Sequence, residues 1–116
     1  MVEPYIPDRG DIMWINLDPQ LGHEQAGRRP ALVISLLEYN KATKLCLAMP
    51  ITSQAKGFPS EELIISDKTS GVILTDQLKN HDWSQRDIKY IETISERKVQ
   101  QALERLNMII NIKSDQ

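Results

Sequence analysis

Apolar residues recur in short runs at 11–17, 31–36, 44–49, 62–65, 72–74 and 90–94. Some runs alternate with period two and others are continuous, the signatures of half-buried and fully buried strands. Pro19 and Gly22, Asn40, Gly57 with Pro59, Gly71, and Asn80 with Asp82 punctuate them as turn formers. Short strands at this spacing predict a mainly β fold, a small barrel or sandwich. Residues 36–40 predict a single helical turn. After residue 95 the period changes, and Val99, Ala102, Leu103, Leu106, Ile109 and Ile110 share one helical face. Ser95 suits the N-cap, Glu96 suits the positive end of the dipole, and Ile94 is placed to staple onto Val99. The pattern therefore predicts an amphipathic helix over 96–111 that closes one side of the barrel.

Composition narrows the class. The chain has 116 residues, 41% hydrophobic and 26% charged, with no repeat, low-complexity tract or linker, so one domain over 1–116 is expected. No apolar run approaches the roughly 18 residues of a membrane span, and the N-terminus lacks a basic-then-apolar signal, so cytoplasmic residence is the expectation. Cys46 stands alone, which excludes an internal disulfide, and within Leu45–Met49 it reads as a small buried residue. The net charge of −2 opposes electrostatic coating of nucleic acid. Over 28–60, however, Arg28, Arg29, Lys41, Lys44 and Lys56 face only Glu38, which suits either contact with a few phosphates or an ordinary solvated face.

Candidate chemistry concentrates in two segments. In Glu24-Gln25-Ala26-Gly27-Arg28-Arg29-Pro30, a carboxylate and two cations precede the run Ala31-Leu32-Val33-Ile34. Gly27 permits a tight turn, and Pro30 drives Arg29 toward an extended backbone at the mouth of a strand. A guanidinium held there offers a planar fork of donors for a phosphate. The second segment, Pro50-Ile51-Thr52-Ser53-Gln54-Ala55-Lys56-Gly57, supplies hydroxyls and another cation. Together they suggest a phosphodiester site, with Arg29 holding developing charge, Thr52 binding a phosphate oxygen, and Glu24 taking a proton or orienting a cation. The alternative is a surface Glu24–Arg29 ion pair and a turn capped by Thr52. Arg29 and Thr52 are both expected in exposed loops. His23 and His81 stand 58 positions apart, which discourages a histidine acid–base pair, and His23 reads as a solvent-facing loop residue. No spacing suits a metal, so no cofactor is expected. Lys56 suits either a nucleic-acid backbone or bare exposure. Trp14 alternates as core or interface, whereas Trp83, between Asp82 and Ser84, and Tyr39 are candidates to stack on bases.

Several linked motifs resemble the MazF/PemK (Kid, ChpA) family of toxin endoribonucleases over nearly the whole chain. They are Pro7-Asp8-Arg9-Gly10-Asp11-Ile12 with Trp14, then Asp18-Pro19, Gly22, and the run from Glu24 through Ser35. Tyr39-Asn40, Pro50-Ile51-Thr52-Ser53-Gln54, Lys56-Gly57 and the run from Gly71 through Lys79 complete the set. His23-Glu24-Gln25-Ala26-Gly27 points to the chromosomal MazF branch. The resemblance implies an SH3-like β-barrel with a C-terminal helix, assembled as a homodimer. It implies cleavage of single-stranded RNA, chiefly mRNA, without a metal, through 2′-hydroxyl attack to 2′,3′-cyclic phosphate and 5′-hydroxyl ends. It further implies catalytic roles for Arg29, Thr52 and Glu24, and RNA contacts at Gln25, Gly27, Arg28, Ser53, Gln54, Lys56, Gln77 and Lys79. The implied partners are RNA, a MazE-like antitoxin whose acidic tail blocks the RNA groove, and operator DNA for the toxin–antitoxin complex. Residues 80–89, with Trp83 and Arg86, match only loosely. A CcdB-like gyrase-binding toxin and an inert binding barrel are the alternatives from other classes.

Overall fold

A computed structural model describes residues 4–18, 22–24 and 27–111. Among these, the strands are β1 (Asp11–Asn16), β2 (Arg28–Val33), β3 (Leu45–Thr52), β4 (Glu61–Ile65), β5 (Ser70–Leu74), β6 (Lys79–Asp82) and β7 (Lys89–Thr93). The helices are α1 (Leu37–Thr43) and α2 (Glu96–Ile110), with single 3-10 turns at Thr75–Gln77 and Trp83–Gln85. All pairings are antiparallel, in the order β4-β5-β3-β2-β1-β7, and β6 also lies against β3. The result is a mainly β half-barrel with a C-terminal helix, the class the strand pattern predicts.

One edge of β3 is shared. Its first half pairs with β6 from Leu45↔Asp82 to Ala48↔Lys79, and its end pairs with β5 at Ile51↔Ile73 and Thr52↔Val72. Met49 and Pro50 occupy the gap between these ladders, where a residue without an N–H is best tolerated. The chain crosses the gap through the Thr75–Gln77 turn. The sheet thus forks beside Pro50.

Both faces of the central strands are covered, which is why their sequences read as continuous apolar runs. On one face Ile12, Leu32, Met49, Ile51, Ile64 and Ile73 pack against Val99 and Ala102 of α2. On the other, Met13, Ile15, Ala31, Val33, Cys46, Ala48 and Trp83 form a second cluster. Ser95 caps α2 by accepting from Lys98 N at 3.2 Å. Arg9 clasps Glu96 through Nε and Nη2 at 2.9 and 2.7 Å. Glu62 accepts from Lys98 Nζ at 3.0 Å and Arg105 Nε at 2.9 Å, tying β4 to the helix. Burial pushes the Glu62 carboxyl up, but these two cations outweigh it and hold it below the usual carboxylate range.

Several expectations need correction. The turn assigned to Asn80 and Asp82 is strand β6, whose polar residues Lys79-Asn80-His81-Asp82 carry no apolar period and pair because β3 presents an open edge. The single helical turn is the seven-residue α1, closed by Lys44 in the left-handed region at φ 64°. Trp83 is buried, not exposed, because its Nε1 donates to Asn40 O at 3.0 Å and its ring joins the second cluster. Cys46 is fully buried, and burial pushes its thiol up to about 12. Among the described residues no helix is long and apolar enough to cross a membrane.

Candidate active site

The β2–β3 ladder runs Val33↔Ala48, Leu32↔Met49, Ala31↔Pro50. Carried two residues further, that register sets Arg29 across from Thr52, on the face that carries Ala31 and Pro50. Both lie in strands, Arg29 half-buried in β2 opposite Ile15 and Thr52 buried at the end of β3, so the exposed-loop expectation is corrected for both. The extended backbone that Pro30 enforces is what carries Arg29 into the ladder. Thr52 Oγ1 accepts from Gln54 N at 3.2 Å, so the hydroxyl closes a turn and keeps its own proton to donate.

Two hollows open along the end of β3, one lined by Thr52 and the other by Pro50, and share Gln77. The smaller, about 70 Å³, is lined by Thr52, Gln54, Lys56, Glu61, Asp76 and Gln77 among others. Its rim is the segment after β3, which the Glu61 carboxylate organises by accepting from Lys56 N at 3.1 Å and Gly57 N at 3.0 Å. His23 is exposed at its edge. The second, about 110 Å³, sits at the fork and is lined by Glu24, Gln77, Lys79, Asn80, His81 and Arg86, with Leu17 and Pro50 behind. Glu24 forms an ion pair with Lys79, so the carboxylate orients a cation. Lys79 pairs with Ala48 and His81 with Cys46, which puts both on the sheet face of Arg29 and Thr52.

The connection between β1 and β2 is tied at its base. Leu17 N donates to Gly27 O at 2.8 Å, and Gly27 N donates to Asp18 Oδ1 at 2.9 Å, with Gly27 at φ 72°. Arg86 straps the same place, donating from Nη1 to Asp18 O at 3.1 Å and Asn16 O at 3.4 Å. Arg28 points to the opposite sheet face from Arg29, 5.9 Å from the Trp14 ring centroid and 3.8 Å from Asp87 Oδ2. Trp14 is partly exposed there beside Lys89, above neither hollow. Ser53 and Gln54 are exposed on the rim, and Gln25 lies outside the described residues.

His81 and Arg86 were missed as site residues. His81 is buried on the floor of the larger hollow. Burial first, then Arg86 and Lys79, push it down to about 4, so it is neutral at pH 7. The signal that could have found it is the Lys-x-His alternation of a strand, legible only once β6 is recognised.

The sequence model of a family described as PemK-like, MazF-like toxin of type II toxin–antitoxin system matches residues 8–110. The endoribonuclease toxin MazF of Escherichia coli K12 is 40% identical over 110 residues, covering 95% of this chain and 99% of the relative. The crystal structure of MazF from Deinococcus radiodurans superposes with a TM-score of 0.87 at 38% identity, covering 94% of this chain and all of that one. A MazE–MazF crystal structure from the same organism gives 0.80 at 32% identity, covering 95% and 100%.

Proposed function

The chain belongs to the family of PemK-like, MazF-like toxins of type II toxin–antitoxin systems, and from that membership we propose that it is a single-domain endoribonuclease toxin that cuts single-stranded RNA in the cytoplasm without a metal. Four curated relatives, among them MazF, PemK and ChpB of E. coli, are named endoribonucleases. The observation that supports the chemistry is the β2–β3 register, which when extended carries Arg29 toward Thr52, whose side chain lines a polar hollow. A gyrase-binding toxin that cuts nothing has no use for that pairing, and the named relatives do not favour it.

The reaction needs no group beyond the RNA and the side chains. The ribose 2′-oxygen bonds to phosphorus as its proton leaves, and the bond from phosphorus to the 5′-oxygen breaks as that oxygen takes a proton. The products are a 2′,3′-cyclic phosphate and a 5′-hydroxyl. Arg29 stays protonated and stabilises the charge that builds on the non-bridging oxygens. The Thr52 hydroxyl donates to one of those oxygens. Glu24 either accepts the 2′-proton or holds Lys79 against the phosphate. Gly27, Ser53, Gln54, Lys56, Gln77 and Lys79 line the path of the strand, and Gln25 extends it toward the β1–β2 connection, while Arg28, on the opposite sheet face, stands outside it. A homodimer joins two such paths, and an acidic antitoxin segment competes with RNA for the cations, as the MazE–MazF assemblies of D. radiodurans suggest for this chain. With that antitoxin bound, the complex reads operator DNA.

The test is cleavage of a long transcript by purified protein in excess EDTA. Cutting should persist, should cease when the ribose at the cut site lacks its 2′-hydroxyl, and should fall sharply in Arg29→Ala. A deoxy substrate that is still cut would overturn the mechanism, and an Arg29→Ala variant of undiminished activity would overturn the site.

A further inference from the structure

The hollow at the fork holds a buried ring with no hydrogen-bond partner among the described residues. His81 is 7% exposed, and its imidazole makes no hydrogen bond with any described residue. A buried polar group usually finds one, so an orphan that lines a cavity marks a place where something else supplies the bond. We propose that this cavity receives one unstacked RNA base beside the cleaved bond, and that His81 reads its edge. The inference rests on the endoribonuclease reading and adds a specificity-determining residue to it.

Size and charge both favour a base. At about 10–15 Å³ per water-sized group, the cavity of about 110 Å³ holds close to the eight to eleven heavy atoms of a pyrimidine or purine. Its ions are already engaged: Lys79 pairs with Glu24, and Arg86 donates to the carbonyls of Asn16 and Asp18. A phosphate inside the cavity would also meet the Glu24 carboxylate, which repels it. A base needs neutral donors and acceptors, and the wall carries them in Gln77 and in the ring of His81; the Asn80 side chain is engaged elsewhere, donating to Tyr39 Oη at 2.7 Å. The charged groups facing that ring are Lys79 and Arg86, which oppose its protonation, and Glu24, which lies across the cavity; the buried Cys46 thiol is its neighbour on β3. A neutral imidazole offers one donor and one acceptor, whereas an imidazolium would offer donors only. Single-stranded RNA is read in this way, with splayed bases hydrogen-bonded on their edges.

The test compares cut sites. Wild type, His81→Leu and His81→Asn are incubated with one long transcript, and the 5′ ends of the products are sequenced. Leucine fills buried space without polar atoms, and asparagine keeps a donor and an acceptor. His81→Leu should cut with preference at one position of the recognised sequence weakened about 10- to 100-fold relative to the other positions. His81→Asn should keep a preference at that same position. Thermal unfolding checks that each variant is folded, and the asparagine variant alone decides the matter if leucine is not tolerated. If wild type cuts and both variants slow equally at every site, the base pocket falls while the endoribonuclease reading stands. If wild type cuts no RNA, both fall.

Discussion

Gly71 is the residue on which the geometry of Thr52 most directly depends. It sits in β5 beside the Thr52↔Val72 pair with φ 151°, a backbone region that side chains rarely adopt. A Cβ added there would collide with the Thr52 carbonyl oxygen, stand 3.0 Å from its carbon and 3.5 Å from Ser53 Cα. Carbon atoms rest at about 3.5–4.0 Å, so Gly71→Ala must drive the strands apart by about 0.5–1 Å. Backbone, not a flexible side chain, has to yield. Overpacking of this kind costs about 1–3 kcal/mol and the unfavourable φ adds about 1–2 kcal/mol. The expected destabilisation is therefore about 2–5 kcal/mol, read from denaturant midpoints. Displacement of a reacting group by about 1 Å costs on the order of a hundredfold in rate, so kcat/KM on an RNA oligonucleotide should fall about that much in the folded variant. Gly57→Ala is the stability control, because φ is 82° but nothing beyond its chain neighbours lies within 4 Å of the added Cβ; it should lose only the backbone cost of about 1–2 kcal/mol. A Gly71→Ala protein with the midpoint and kcat/KM of wild type would refute the packing of β5 against Thr52.

Arg29→Ala and Thr52→Val should each lower the cleavage rate about a hundred- to a thousandfold, with folded circular dichroism spectra retained; oligonucleotide cleavage checks this. Glu62→Ala strands Lys98 and Arg105 and should destabilise by about 2–3 kcal/mol, less than a fully buried triad would lose because Arg105 is 41% exposed; urea unfolding measures it. His81 titrates at about 4 in the folded protein against 6.5 ordinarily, so the unfolded chain binds the proton first as pH falls. Its stabilisation is complete above pH 6.5 and lost on acidification toward pH 4, by about 3 kcal/mol, a loss that should vanish from the pH-dependence of unfolding in His81→Asn.

The long apolar runs and the helical period of α2 were legible in the sequence because burial imposes them. The cap at Ser95 followed from local chemistry alone. Strand β6 was not legible: Lys79-Asn80-His81-Asp82 becomes a strand only because β3 has an edge to fill, and that is a tertiary fact. Trp83 misled because its neighbours Asp82 and Ser84 are polar, while the bond from its indole to Asn40, 43 positions away, is invisible from either side. Thr52 was expected in an exposed loop. In the structure β3 runs on through Thr52, because Ile51 and Thr52 gain partners in β5. The pairing of Glu24 with Lys79 joins two segments 55 positions apart, and no local pattern foretells it. Glu61 is a further case, a carboxylate drawn inward by two backbone amides of its own loop.

The fork explains why chemistry and recognition sit side by side, with Gln77 lining both hollows. Had β5 followed β3 along its whole edge, Lys79 and His81 would have no strand to stand on, and Gln77 would not separate two hollows. Because the edge is divided, β3 ends in Thr52 while its first half presents the residues of β6 on the same face. β2 brings Arg29 to that face by register, fixed by Pro30. The groups expected to meet the phosphate are thus held by strands whose remaining side chains are mostly buried, where displacement is costly. His81, expected to meet a base, sits on a short, polar, four-residue strand in which it alone is buried. Substitution on β6 can then change which sequence is cut while Arg29 and Thr52 keep their places, and the buried imidazole is the side chain through which such a change would cost stability as well.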